Sequence, residues 1–189
     1  RVVAMYFRRV LEVRLAARNE LRERMVKLAV RCLATILLLS WNVLGENLLS
    51  QPESIVYDSA RVRYLVTNKA TGEIIAIDSN QNQSYFATGL GSCRGIVITA
   101  GVAYVACDLG VRGFDLVTGT EVFAKSISGM VFLNDIEADT SGYLYVTDSS
   151  TGRVYKIRLS DGSVTTLVES GLSGPNGLLH DRVRNRLLV

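Results

Sequence analysis

The chain has 189 residues, enough for one domain with a sizeable core, and 48% of them are apolar. Its net charge of +3 is unevenly placed: residues 1–31 carry nine Arg and Lys against three Glu, and residues 32–189 carry twelve against fifteen acidic residues. The larger part is weakly acidic and has no basic stripe of the kind nucleic acid requires, which argues against nucleic acid as a partner.

The basic N-terminus divides in two. Residues 1–24 contain Met5 but do not begin with methionine. They read either as a basic helix with Val10, Leu11, Val13, Leu15 and Leu21 as apolar positions or, the preferred reading, as an extension upstream of a true start at Met25. From Met25 a short cationic segment ends at Arg31 and leads into an apolar run of ten residues, Cys32 to Trp41. That run is too short to span a bilayer and fits the apolar part of a secretory signal, here residues 25–45 with cleavage after Gly45. The expected product is secreted or periplasmic, with a linker at 46–51 and no stable membrane insertion. Because no Ala-x-Ala site precedes the linker, a core helix or a membrane anchor is the alternative.

From Pro52 onward the chain repeats itself. Leu133-Asn134-Asp135-Ile136-Glu137-Ala138-Asp139 is followed by the turn residues Thr140-Ser141-Gly142 and then by Tyr143-Leu144-Tyr145-Val146-Thr147-Asp148. Leu144 and Val146 alternate with Tyr143, Tyr145 and Thr147, the period-2 signature of a strand. The same pair of runs occurs as Pro52–Asp58 with Tyr64–Asn68, as Arg94–Ile98 with Ala103–Asp108, and as Pro175–Asp181 with Arg186–Val189. The second-run valines Val66, Val105, Val146 and Val189 lie 39, 41 and 43 residues apart. Third runs follow at Glu73–Ile77, Gly113–Leu116 and Arg153–Ile157, and fourth runs at Ser84–Ala87, Glu121–Ala124 and Ser163–Leu167. Four short strands every ~40–45 residues, joined by Gly-containing turns, define the blades of a β-propeller. Residues 52–189 hold about three and a third four-stranded antiparallel blades. A propeller closes on itself, so the expectation is that this all-β domain is truncated and the sequence a fragment.

Each unit carries a polar residue just before its first strand. Glu53, Asn134 and Asn176 stand five residues ahead of Asp58, Asp139 and Asp181, and Arg94 takes that place in the second unit. First strands line the central channel of a propeller, so these positions gather around one of its mouths. Glu and Asn there are hard oxygen donors of the kind Ca²⁺, Mg²⁺ or Mn²⁺ prefers, while ordinary turn chemistry is the bland alternative. His- or Cys-rich zinc spacing is absent from the sequence. An Arg94 side chain entering the channel could pair with Glu53 or hold an anionic substrate; it could equally point away.

The blade starts Pro52-Glu53-Ser54, Leu133-Asn134-Asp135 and Gly174-Pro175-Asn176-Gly177-Leu178 resemble those of the regucalcin/gluconolactonase family of six-bladed propellers. The resemblance implies six blades in the complete protein and a divalent cation in the channel, Ca²⁺ first, with Mg²⁺, Mn²⁺ or Zn²⁺ as alternatives. It implies that Glu53 and Asn176 are metal ligands, that Asn134 lies at the metal or the substrate, and that a further Asp beyond Val189 is both ligand and general base. It points to a secreted, metal-dependent hydrolase acting on a small-molecule lactone or related ester, with Arg94 and Asn134 orienting the substrate. Tyr145-Val146-Thr147-Asp148 and Gly152-Arg153-Val154-Tyr155-Lys156-Ile157 are phrases shared with NHL-type and strictosidine-synthase-like propellers. A non-catalytic NHL-like module that binds a protein or a carbohydrate is therefore the competing expectation.

Asn68, Asp108 and Asp148 close the second strands and form an outer register, expected either to bond the ligands and loops around the channel or simply to cap turns. Cys93 and Cys107 flank the hairpin turning at Ala100-Gly101, with Cys93 expected nearly opposite Asp108 and diagonal to Cys107. A disulfide and a pair of buried thiols are both open. The lone His180 has no second His and no local triad partner, which favours a structural role.

Overall fold

The computed structural model describes Met25 and residues 46–189. The upstream extension and, apart from Met25, the signal segment lie outside the described residues. From Glu46 to Val189 the chain has no helix and forms fourteen strands. Blade 1 comprises β1 (Pro52–Asp58), β2 (Arg63–Asn68), β3 (Ile74–Ile77) and β4 (Gln83–Ala87). Blade 2 comprises β5 (Cys93–Thr99), β6 (Val102–Cys107), β7 (Gly110–Asp115) and β8 (Glu121–Lys125). Blade 3 comprises β9 (Leu133–Ala138), β10 (Tyr143–Asp148), β11 (Arg153–Arg158) and β12 (Val164–Val168), and a fourth unit consists of the hairpin β13 (Leu179–Asp181) and β14 (Arg186–Leu188). Each four-stranded sheet is an antiparallel meander in chain order. The first strands stand side by side, β1 against β5, β5 against β9 and β9 against β13. These are propeller blades, as the period of the valines requires. The sequence reading starts the third strand of blade 2 at Gly113, but β7 already begins at Gly110, whose φ of +117° lets the chain turn directly out of β6.

Packing follows the alternation. Two apolar layers lie between the blades. Leu65, Ile74 and Ala76 of blade 1 meet Ile96, Ala103 and Val105 of blade 2. Tyr104, Ala106 and Val111 of blade 2 meet Ile136, Leu144 and Val146 of blade 3. Successive residues of β6 thus enter opposite layers, and the strand is buried on both faces, which is why Val102-Ala103-Tyr104-Val105-Ala106-Cys107 has no polar alternation. The tight β10–β11 turn needs Gly152 at φ +69°; a Cβ there would stand 2.6 Å from the Leu172 carbonyl oxygen.

Each complete blade opens on the same irregularity. Pro52 pairs with Asn68 and Ile55 with Val66, so Glu53 and Ser54 together face Thr67. Arg94 and Gly95 face Ala106 between the pairs Cys93–Cys107 and Ile96–Val105. Asn134 and Asp135 face Thr147 between Leu133–Asp148 and Ile136–Val146. Two residues against one is a β-bulge, which bends the strand and re-aims its side chains.

The bulge corrects the expected cysteine register by one residue. Cys93 lies directly opposite Cys107 rather than Asp108, with Cα atoms 4.2 Å apart, and the two form a disulfide with both residues fully buried. A crosslink spanning 14 residues removes loop entropy from the unfolded chain. The Cys93→Ala, Cys107→Ala double variant should therefore unfold with about 2–4 kcal/mol less free energy in denaturant titrations. Stability equal to that of the oxidised parent would mean that the bond contributes nothing.

Candidate functional site

The bulges place their residues around a single opening. Glu53, Ser54, Gly95, Asn134, Asp135 and Asn176 line one polar cleft of about 150 Å³. The three residues expected to meet there, Glu53, Asn134 and Asn176, are brought together, from blades 1, 3 and the fourth unit. Glu53 and Asn134 come from the starts of β1 and β9 and Asn176 from the segment just before β13, and these first strands stand side by side with β5 between β1 and β9.

Arg94 departs from this pattern. Its side chain is 3% exposed and is drawn into the junction of blades 2 and 3. Nη1 donates to the Leu133 carbonyl at 2.9 Å, Nη2 to Asp108 Oδ1 at 2.7 Å, and the guanidinium lies 3.8 Å over the Phe132 ring. It does not line the cleft, so of the two open alternatives it points away from the channel, and Lys69 Nζ stands 3.7 Å from the Glu53 carboxylate. The unit's contribution to the cleft is Gly95. A Cβ on Gly95 would come within 2.6 Å of the Asp135 Cα, so this glycine permits the first strands of blades 2 and 3 to approach at backbone distance.

Asn134 is oriented by a relay. Ser149 Oγ donates its one hydrogen to the Pro175 carbonyl at 2.6 Å and accepts from Asn134 Nδ2 at 2.9 Å. With the hydroxyl hydrogen committed, only the amide nitrogen can face Ser149, and Oδ1 is left to receive a proton donor or a cation. Asp135 is held from both sides: Oδ1 accepts from the Ile136 amide at 2.9 Å and Oδ2 from the Leu178 amide at 2.7 Å, tying blade 3 to the fourth unit. Burial pushes its carboxyl up from the ordinary value, and those two amides offset it only in part.

The outer register holds the incoming chain. Asn68 accepts from the Ser50 amide at 3.0 Å and donates to the Leu48 carbonyl at 2.7 Å. Asp148 accepts from the amides of Val131 at 2.7 Å and Phe132 at 3.1 Å. Asp108 is the partner of Arg94. None of the three lines the cleft; they fasten the segments that lead into the first strands and the Arg94 junction. His180 also lies away from the cleft lining, with its Nδ1 buried and unpartnered among the described residues.

Sequence reasoning missed Ser54, Gly95 and Asp135 as lining residues, and Thr67, Thr147 and Ser149 as their supports. The only signal for Asp135 was its place beside Asn134. Among the described residues no three His, Cys, Asp or Glu side chains gather as a metal site. The cleft offers two carboxylates, Glu53 and Asp135, and two amides, Asn134 and Asn176, all hard oxygen donors.

No family model matches the chain, and no curated protein matches it. Solved structures do. A chain of a nidogen/laminin complex is similar with a TM-score of 0.60 and 18% identity, over 72% of this chain and 55% of its own. A streptogramin B lyase is similar at 0.62 and 16%, over 73% and 47%. A Bacteroides thetaiotaomicron protein of unknown function is similar at 0.64 and 15%, over 76% and 39%. This chain thus spans about half or less of the solved chains it matches. Identities this low show the fold alone, and the fold is that of a β-propeller.

Asp148 gives a pH test of the supports. Burial raises its carboxyl pKa, but the amides of Val131, Thr151 and Phe132 outweigh burial and hold it below the ordinary carboxylate range. A depressed folded-state pKa stabilises above the unfolded value and is lost as pH falls through the folded one. Stability should therefore decline below about pH 4. Asp148→Asn should lower stability at neutral pH by about 1–3 kcal/mol and flatten that decline. Thermal melts across pH 2–7 check it; an unchanged acid limb in the variant would exclude this role.

Proposed function

We propose that the mouth cleft holds a hard divalent cation, Ca²⁺ first and Mg²⁺, Mn²⁺ or Zn²⁺ as alternatives, and that the protein is a propeller hydrolase acting on a small-molecule lactone or related ester. The observation that carries this reading is the meeting of Glu53, Asn134 and Asn176 in one cleft lined by oxygen donors. Glu53 would supply the charge, and Asn134 and Asn176 neutral oxygens. When bound, such a cation polarises a carbonyl and lowers the pKa of water. Asp135, held by the Ile136 and Leu178 amides, adds a second carboxyl group to the same cleft. The buried disulfide fits an oxidising compartment, which supports a secreted or periplasmic location.

One feature favours a second reading. The cleft, at about 150 Å³, is smaller than the roughly 300–1,000 Å³ of pockets that bury a whole small molecule. A substrate would place only its reacting group inside this cleft and lie across the mouth or over the apolar pocket of about 310 Å³ that shares Glu53 and Ser54. A non-catalytic propeller that uses a structural cation and binds a protein or carbohydrate on that mouth fits the same volume.

Calorimetry with Ca²⁺, Mg²⁺ and Mn²⁺ should detect one site on the full chain. Glu53→Gln and Asn176→Ala should each weaken it by about tenfold or more. Lactone and ester hydrolysis should fall in the same variants. Binding unchanged in both variants would remove the site from this cleft, and lost binding without hydrolysis of any lactone or ester would leave the binding-module reading.

A further inference from the structure

In blades 1 and 3 the bulge leaves an amide without a strand partner, and a threonine hydroxyl takes it up while donating to a carbonyl of the next unit. In blade 3, the Asp135 amide donates to Thr147 Oγ1 at 2.9 Å, and that hydroxyl donates to the Asn176 carbonyl of the next unit at 2.9 Å. In blade 1, the Ser54 amide donates to Thr67 Oγ1 at 3.1 Å, and the hydroxyl donates to the Arg94 carbonyl of blade 2 at 2.5 Å. Both threonines are fully buried. A hydroxyl has one hydrogen and two lone pairs, so each threonine serves one amide in its own bulge and one carbonyl of the next unit. The carbonyls belong to Arg94, near the start of β5, and to Asn176, three residues before β13.

Blade 2 lacks the hydroxyl, because Ala106 occupies the position facing its bulge. Other links hold that bulge. The Cys93–Cys107 disulfide closes it at its outer end, and Arg94 Nη1 reaches the Leu133 carbonyl, one residue before Asn134. The junction with blade 3 is thus fastened from the bulge itself, by a side chain instead of a hydroxyl.

We infer that Thr67 and Thr147 are positioning residues for the mouth cleft: each fixes a lining residue of its own blade, Ser54 or Asp135, and an entry residue of the next unit. For Thr147 that next residue is Asn176, a candidate ligand. The inference rests on the reading of the cleft as a cation site for its functional half, and on the hydrogen bonds alone for its structural half. A Thr147→Val variant keeps the shape and removes the hydroxyl; Thr147→Ser keeps the hydroxyl.

The test pairs hydrogen exchange with Ca²⁺ and Mn²⁺ calorimetry on the full chain. In Thr147→Val the Asp135 amide should exchange about fivefold faster or more, as for the loss of one net hydrogen bond. Protection in blade 1 should stay unchanged, and cation affinity should drop several-fold. Thr147→Ser should restore both. Equal behaviour of Val and Ser, or unchanged protection at Asp135, would overturn the clamp. Faster exchange with full cation affinity would overturn its positioning role. If the parent protein binds neither cation, the cation reading falls, and the exchange comparison alone still decides the clamp. Should Thr147→Val fail to fold, Thr67→Val carries the same comparison at the Ser54 amide.

Discussion

The two-for-one bulge at the start of each first strand is the constraint on which the rest of the molecule depends. A regular antiparallel start would hold β1, β5 and β9 in one unbroken register against β2, β6 and β10 up to the mouth. The bulge bends the strand as it reaches the mouth, and in blades 1 and 3 it leaves one amide to a side chain. In blades 1 and 3 a threonine hydroxyl receives that amide and passes its own hydrogen to the neighbouring blade. In blade 2 no hydroxyl faces the bulge, and a disulfide and the Arg94 side chain fasten it and its junction with blade 3. A buried polar group left unpaired would cost about 1–3 kcal/mol, which is what the hydroxyls of Thr67 and Thr147 avert in blades 1 and 3.

The cleft follows from this arrangement. Its lining is made almost wholly of bulge residues, Glu53, Ser54, Gly95, Asn134 and Asp135, with Asn176 from the corresponding place in the fourth unit. The supports lie one layer out. Asn68 and Asp148 hold the chain leading into β1 and β9, and Ser149 turns the Asn134 amide. The side chains that fix the backbone are buried, while Glu53 and Asn176 remain open to solvent. A rigid rim with accessible oxygen donors suits ion binding, since the donors need little reorganisation when a cation arrives.

The blades themselves were legible because their signal is local and repeated. Val66, Val105 and Val146 mark the second strands, and alternation and Gly turns mark the rest. The meeting of Glu53, Asn134 and Asn176 was also legible, since each stands five residues ahead of the Asp at or just past the end of its first strand, and those strands stand side by side with β5 between β1 and β9. What the bulge itself altered was not. Glu53-Ser54, Arg94-Gly95 and Asn134-Asp135 share no residue type that announces it, and its extra residue moved Cys93 from Asp108 to Cys107. Arg94 was unreadable for another reason. Its side chain is directed by the Leu133 carbonyl, 39 residues away, and by the Phe132 ring, and neither partner is visible before the blades are packed. Thr67 and Thr147 read as ordinary strand residues because β propensity and clamp chemistry call for the same amino acid.

The central claim is that this bulge-built rim binds a hard cation, and paramagnetic broadening locates such an ion directly. Substoichiometric Mn²⁺ added to the ¹⁵N-labelled full chain should first broaden the side-chain amide signals of Asn134 and Asn176 and the backbone amides of Ser54 and Asp135. Excess Ca²⁺ should restore them. Broadening centred on any other part of the blades, or none at these four residues, would contradict the account.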